Sequence, residues 1–239
     1  MAKYNNETYG MSFEKFLCDI HNVQNTIEPC RCQTEFIDKL YKSNISELLE
    51  KNNILIVEHQ GKDNGDVDFK INLDNRPATL SAKTTMGKHG KICPQGGQPT
   101  YKSFDRKRNL TTKTANLDRQ KANCIRFEWL KNNIHSYLNE MQARTFCCDC
   151  LLYLNNCKKN PQAILVKNKK YDFTKMKITY SRPNYEEKPH KKKPAPATTE
   201  FSTTIYAIID GKTEQIGEFQ FHKSSRQQVK FRFYSKLFH

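Results

Sequence analysis

A chain of 239 residues and 28.0 kDa is long enough for one substantial core, or for a core with an appended module, and too short for three domains. Hydrophobic residues at 36% and aromatic residues at 11% make it polar yet apolar enough to fold, and 40 basic against 25 acidic side chains leave a net charge of +15. No run approaches the roughly 18 apolar residues of a membrane span. The opening residues, Met1-Ala2-Lys3-Tyr4-Asn5-Asn6, lack the apolar stretch of a signal sequence, so the expected setting is cytoplasmic, with no membrane partner.

The charge is unevenly placed. Residues 1–83 carry 10 basic and 13 acidic side chains, whereas residues 84–239 carry 30 and 12. A basic surplus of that size calls for a polyanion, and nucleic acid is the commonest, since neutralised phosphates release counterions. Nine cysteines without a secretory signal read as reduced thiols. Cys30, Cys32, Cys147, Cys148, Cys150 and Cys157 invite zinc, but Cys147/Cys150 is the one C-x₂-C pair and has no matching partner pair. Cys147, Cys150 and Cys157 fall at helical intervals beside Leu151 and Leu154, as small core residues would.

In chain order, residues 12–22 and 33–51 are expected to be helices. The first carries Phe13, Phe16, Leu17 and Ile20 at helical spacing behind Ser12 as cap, and the second carries Phe36, Leu40, Ile45, Leu48 and Leu49. Residues 54–57 form a short apolar strand. After a polar turn at 61–65, Val67, Phe69 and Ile71 alternate with Asp66, Asp68 and Lys70, which predicts a strand with one buried face and two carboxylates on the other. A turn at 74–77 leads to a second alternating segment, 78–83, with Leu80 and Ala82 inward and Thr79, Ser81 and Lys83 outward. Glycines and prolines make 84–116 loop-like, residues 117–157 read mainly as helix, and 163–166 and 175–180 as strands. Residues 182–200, with four prolines and three consecutive lysines, form a basic connection without expected secondary structure. Beyond it, Asp210-Gly211 is a hairpin turn between Ile205–Ile209 and Ile216–Phe221, and Val229–Phe233 adds a third strand. The expected organisation is a core at 1–181, the connection at 182–200 and C-terminal strands at 201–239.

Adjacent antiparallel strands presenting Asp66 and Asp68 beside Ser81 and Lys83 would gather carboxylates and an ammonium on one patch of sheet. Phosphodiester hydrolysis needs such a set: carboxylates hold a divalent ion that offsets transition-state charge, and a lysine orients the attacking water. Gly65-Asp66-Val67-Asp68-Phe69-Lys70-Ile71, a turn, then Leu80-Ser81-Ala82-Lys83, with Glu14 on an upstream helix, resembles the PD-(D/E)XK nuclease superfamily, and within it the type II restriction endonucleases. The resemblance, over residues 11–104 at most, implies an α/β (α+β) fold with a central mixed β-sheet flanked by helices; the C-terminal hairpin and third strand are expected to pack on that core and contact DNA. It implies Mg²⁺, with Mn²⁺ able to substitute, on Asp68 and Asp66, and Lys83 as the motif lysine. Ser81 stands where the second acid is usually found, so the resemblance implies either that the site borrows another carboxylate, with Glu14 and Glu58 as the candidates, or that it binds metal with fewer charges. The substrate would be double-stranded DNA cut at a short specific sequence, with a cognate DNA methyltransferase as genetic partner and a homodimer left open.

Lys88, Lys91 and Lys102 are expected to hold phosphates and Gln95 and Gln98 to read adenine edges. Arg106 and Arg108 read as phosphate contacts, and Arg226, Gln227 and Gln228 as base contacts. A calcium loop at 63–68 fails because its glycine is misplaced and no glutamate closes it, and no Walker or GxGxxG sequence occurs. A non-catalytic nucleic-acid binder and a repair or junction nuclease of the same superfamily remain the alternatives.

Overall fold

A computed structural model describes residues 6–61, 67–85, 90–95, 97–181, 184–188, 198–221 and 227–238, with backbone alone for 6, 184–188 and 198–201. The chain forms two compact units, one of Met1–Gly90, Phe146–Lys169 and Phe238–His239, the other of Lys91–Thr145 and Lys170–Leu237.

The first unit holds helices α1 (Asn6–Ile20), α2 (Thr34–Tyr41) and α3 (Ile45–Lys51), and strands β1 (Ile54–His59), β2 (Phe69–Leu73), β3 (Arg76–Thr84), β5 (Cys150–Asn155) and β6 (Gln162–Lys167). The strands make one sheet in the order β1-β2-β3-β5-β6; β3 and β5 run parallel and the other pairs antiparallel. Phe13, Phe16 and Leu17 of α1, Phe36 and Leu40 of α2, and Ile45 and Leu49 of α3 share one core with Ile56, Phe69, Ile71, Leu80, Ala82 and Leu152. Burying such side chains contributes about 1.5–3 kcal/mol each, so the helices are held by this face and not by propensity.

Local departures from the expected elements have readable causes. Helix α1 begins at Asn6, so Ser12 is no cap: its buried hydroxyl donates to the carbonyl of Thr8 at 2.7 Å and accepts the amide of Gln33, before α2, at 2.8 Å. The expected helix over 33–51 breaks in two, because the amide and hydroxyl of Ser43 both donate to the carbonyl of Leu40. The β2–β3 hairpin turns on Asp74 (φ 51°) and Asn75 (φ 63°), the pair of left-handed residues that a two-residue turn matched to strand twist needs. Residues 150–155, expected in a helix, are β5. All six are buried between β3 and β6, and a continuous apolar run of that length suits a central strand. Thr79 fixes its register on β3: its amide and hydroxyl both donate to Asp149 Oδ2 at 2.8 Å. Burial pushes the thiols of Cys150 and Cys157 up to about 12 and about 11.

The second unit comprises α4 (Tyr101–Lys107), α5 (Thr111–Thr114), α6 (Arg119–Asn132), α7 (Ile134–Thr145) and strands β4 (Lys91–Ile92), β7 (Ile178–Tyr180), β8 (Asn184–Lys188), β9 (Thr198–Ile209), β10 (Lys212–Phe221) and β11 (Val229–Tyr234). They form an antiparallel sheet ordered β4-β11-β10-β9-β7, with β8 also on β9. Phe219, Phe231 and Phe233 are fully buried, and Tyr137 of α7 meets Phe219 and Phe231 at 5.5 and 6.1 Å between ring centroids. Asp210 (φ 50°) and Gly211 (φ 76°) make the expected hairpin turn. Gly217 is required by close approach: a Cβ there would lie 2.9 Å from the carbonyl oxygen of Arg232.

Two expectations fail in this unit. Within the anticipated loop 84–116, Thr100 accepts the amide of Ser103 and starts α4, which buries Tyr101, Phe104 and Asp105. Asp105 forms a buried two-armed ion pair with Arg126 of α6, 2.8 Å to Nε and 2.6 Å to Nη2, and Thr114 of α5 donates to the same carboxylate. That pair draws the short helices α4 and α5 onto α6. In the anticipated connection 182–200, residues 184–188 pair with β9 in the register Asn184↔Ser202 to Lys188↔Thr198, so the long β9 recruits polar chain through backbone hydrogen bonds.

Candidate active site

The last rung between β2 and β3 is Phe69↔Leu80. Asp68 stands immediately beyond it. Its amide still donates to the carbonyl of Leu80 at 3.2 Å, and its carbonyl accepts the amide of Gln60 at 3.0 Å, so its backbone is held from both sides. The amide of Ala82 lies past the end of the ladder and is met by Asp68 Oδ2 at 2.8 Å. The same oxygen accepts from Lys83 Nζ at 3.0 Å. The Asp68 side chain is 18% exposed and that of Lys83 37%, so the pair is half-buried and open to solvent on one side. Asp68 Oδ1 makes no hydrogen bond among the described residues.

The structure thus brings Asp68 and Lys83 together. Asp66 lies outside the described residues. Ser81, expected on the open face, is fully buried, because its register partner on the parallel strand is the fully buried Leu151. Lys83 is therefore the solvent-facing member of the Ser81-x-Lys83 sequence.

The two candidate donors separate clearly. Strand β1 alternates, burying Ile54 and Ile56, until a bulge between Ile56 and Glu58 shifts the register by one residue. Val57 and Glu58 are then both exposed, and His59 turns inward. Glu58 spends its carboxylate on Lys70 at 2.8 Å and Gln60 at 2.6 Å, and the Lys70 hydrogen bond holds its pKa below the usual value. His59, 3% exposed, places Nε2 3.3 Å from Glu14 Oε2 on α1, and its ring sits 5.2 Å from that of Phe69. Because His59, Phe69 and Leu80 share one rung, the Glu14–His59 pair and the Asp68–Lys83 pair occupy the same end of the sheet. Helix α1 passes close there: a Cβ on Gly10 would lie 3.8 Å from Thr84 Oγ1. The alternation of residues 54–59 carries no signal for the bulge, so the inward position of His59 is not legible in the sequence.

Among the described residues, no three His, Cys, Asp or Glu side chains gather closely enough to cage a metal ion. The donor this site offers is one carboxylate oxygen, Oδ1 of Asp68, whose partner oxygen is already fixed. That fits a hard cation such as Mg²⁺, which binds through one or two carboxylates and keeps several waters.

The chain is similar to the type II restriction enzyme CviAII of Paramecium bursaria Chlorella virus 1, with 30% identity over 230 residues. The match covers 95% of this chain and 58% of that enzyme, so the chain spans somewhat over half the length of the relative. No family model matches the sequence, and no solved structure matches it.

The described residues among those expected to hold DNA lie in the second unit. Lys102 and Arg106 are exposed. Lys91 is engaged by Glu218 at 2.5 Å and lies over the Tyr234 ring. Gln95 donates to the carbonyl of Thr145, and Gln98 both donates to and accepts from the backbone of Phe231, so both amides make internal bonds. Arg108 is bedded on the Trp129 ring and bonded to Glu140. The carbonyl of Gln227 accepts from Tyr101, and Gln228 pairs with Thr100. Lys88 and Arg226 lie outside the described residues. The sequence places 117–157 mainly in helix but gives no role to the face of α7 on which Tyr137, Glu140, Met141 and Arg144 fall at helical spacing; that spacing was the available signal.

Proposed function

We propose that this chain is a type II restriction endonuclease with a site of the PD-(D/E)XK kind, hydrolysing phosphodiester bonds of double-stranded DNA at a short specific sequence. The observation that carries the reading is the Asp68–Lys83 pair where β2 and β3 part, in a chain similar over 95% of its length to a type II restriction enzyme. Asp68, with Asp66 beside it in sequence, would hold Mg²⁺, or Mn²⁺ in its place, which offsets phosphate charge and acidifies a bound water. Lys83 contributes a cation on the solvent side of Asp68, where it orients the attacking water. The Ala82 amide and Lys83 together fix the direction of the carboxylate. Glu14, oriented by the buried His59, is the carboxylate that makes up for the serine at position 81. A cell carrying such an activity needs its own DNA shielded at the same sequence, which gives a methyltransferase its place as genetic partner.

The test is incubation of the purified chain with long mixed-sequence DNA and Mg²⁺. Discrete fragments are expected, and Lys83→Ala should retain DNA binding in Ca²⁺ while cleavage falls by about 10³-fold or more, an effect on the scale of about 4 kcal/mol in the barrier. Intact DNA that shifts on a gel would point to a non-catalytic binder, and preference for branched substrates to a junction nuclease. Undiminished cutting by Lys83→Ala would remove the site assignment.

A further inference from the structure

Within the second unit, α4 and α7 line a groove of about 610 Å³. Its cations are Arg106, Lys107, Arg108 and Arg144, against the single carboxylate of Glu140. Glu140 is shared: Lys107 reaches it at 2.6 Å, Arg108 bonds its other oxygen, and Arg144 Nη1 stands 3.8 Å away. Burial alone would raise the pKa of this carboxylate, yet the bonds from Arg108 and Lys107 hold it below the usual value, so Glu140 is ionised at neutral pH. Arg106 is exposed and has no ion pair among the described residues.

The Arg108 guanidinium is held 4.6 Å from the Trp129 centroid and 5.6 Å from that of Tyr137, so its charge cannot swing away. A groove with surplus positive charge and one carboxylate spread over three cations is short of an anion. Its volume exceeds that of a free phosphate.

We propose that this groove takes the sugar–phosphate backbone of DNA, with Arg106, Lys107 and Arg144 on the phosphates and Glu140 holding the cations in position. This rests on DNA as the substrate, as argued above, and adds a binding site composed of different residues from Asp68 and Lys83. Each phosphate neutralised by a side chain contributes about 0.9 to the salt slope of binding to duplex DNA.

The experiment measures binding of a short mixed-sequence duplex to the full chain in Ca²⁺ across a salt series. Arg106→Gln with Arg144→Gln should lower the slope of log K against log salt by about 2 and weaken binding at least about tenfold at low salt. Arg106→Lys with Arg144→Lys should restore the slope, which a misfolded protein could not do. Lys158→Gln with Lys159→Gln, on an exposed turn of the first unit, should leave the slope nearly unchanged. An unchanged slope in the arginine-to-glutamine pair, or an equal loss in the lysine pair, overturns the groove assignment. So does inorganic phosphate that raises the melting temperature of the parent but not of the arginine-to-glutamine pair while the DNA slope stays fixed, since that describes a free-anion pocket. Continued site-specific cutting with an unchanged slope defeats this inference alone, whereas a parent chain that binds no DNA defeats the functional reading as well.

Discussion

Asp68 does two things at once, and substitution can separate them. Its Oδ2 satisfies the buried amide of Ala82 and pairs with Lys83. A hydrogen bond from an amide to a charged acceptor contributes about 1.5–3 kcal/mol, and a half-exposed ion pair no more than about 1 kcal/mol. Asp68→Ala removes both and leaves the Ala82 amide without an acceptor, so it should cost about 2–3 kcal/mol. Asp68→Asn keeps an oxygen in place for that amide and forfeits mainly the charge, for about 1 kcal/mol. At roughly 2–4 °C per kcal/mol for a chain of this size, the alanine variant should melt several degrees below the parent and the asparagine variant within a few degrees of it. Cleavage should not follow that order. If the carboxylate holds the ion, both variants should lose about 10³-fold or more in Mg²⁺-dependent plasmid cutting, because a neutral amide is a poor ligand for a hard cation. The measurements are thermal melting followed by circular dichroism, and single-turnover cleavage under the same conditions. Asparagine activity within tenfold of the parent would refute the metal role and leave Asp68 as a strand-end brace.

The second unit gives two further predictions. Arg126→Leu strands the buried Asp105 without its cation and should destabilise the α4–α6 cluster by about 3–5 kcal/mol, whereas adding Asp105→Leu should recover much of the loss; melting temperatures of the single and double variants decide it. Glu218 bonds Lys91 of β4 and Arg232 of β11, and although burial alone would raise its pKa, these partners hold it below the usual carboxylate range. A depressed folded pKa contributes stability that is complete above the unfolded value and is lost as pH falls through the lower folded one. The melting temperatures of the parent and Glu218→Gln should therefore differ at pH 6 and converge as pH falls through the lowered folded pKa; a gap that persists once the carboxylate is protonated would show that the stabilisation is not electrostatic.

The parts of the fold that were legible are those where one face decides the pattern. Phe69 and Ile71, and Leu80 and Ala82, alternate because one side of their sheet meets helices, and Asp210-Gly211 marks a hairpin because its backbone demands two left-handed residues. Strand β5 was illegible because both its faces are buried, which erases alternation and leaves an apolar run that helical spacing also fits. Helix α4 was hidden by the prolines and glycines before it and depends on Asp105 meeting Arg126, 21 residues further on. In the site, Asp68 beside Lys83 follows from two adjacent alternating strands. The burial of Ser81 depends on β5, and the inward turn of His59 on a bulge, neither of which is visible locally.

The order in which the chain is made bears on when this site can exist. Strands β3 and β5 are neighbours in the sheet, yet Thr84 is followed by the whole of Lys91–Thr145 before Cys150 emerges. On the ribosome, Lys83 therefore sits on a raw sheet edge until some 70 further residues have been translated, and the α4–α7 segment waits still longer for β9 to β11. A product truncated before residue 150 would hold Asp68 and Lys83 on a three-stranded fragment with an unpaired border open to aggregation. Nor can one cut in the gene liberate either half intact, since each is stitched from separate stretches of sequence.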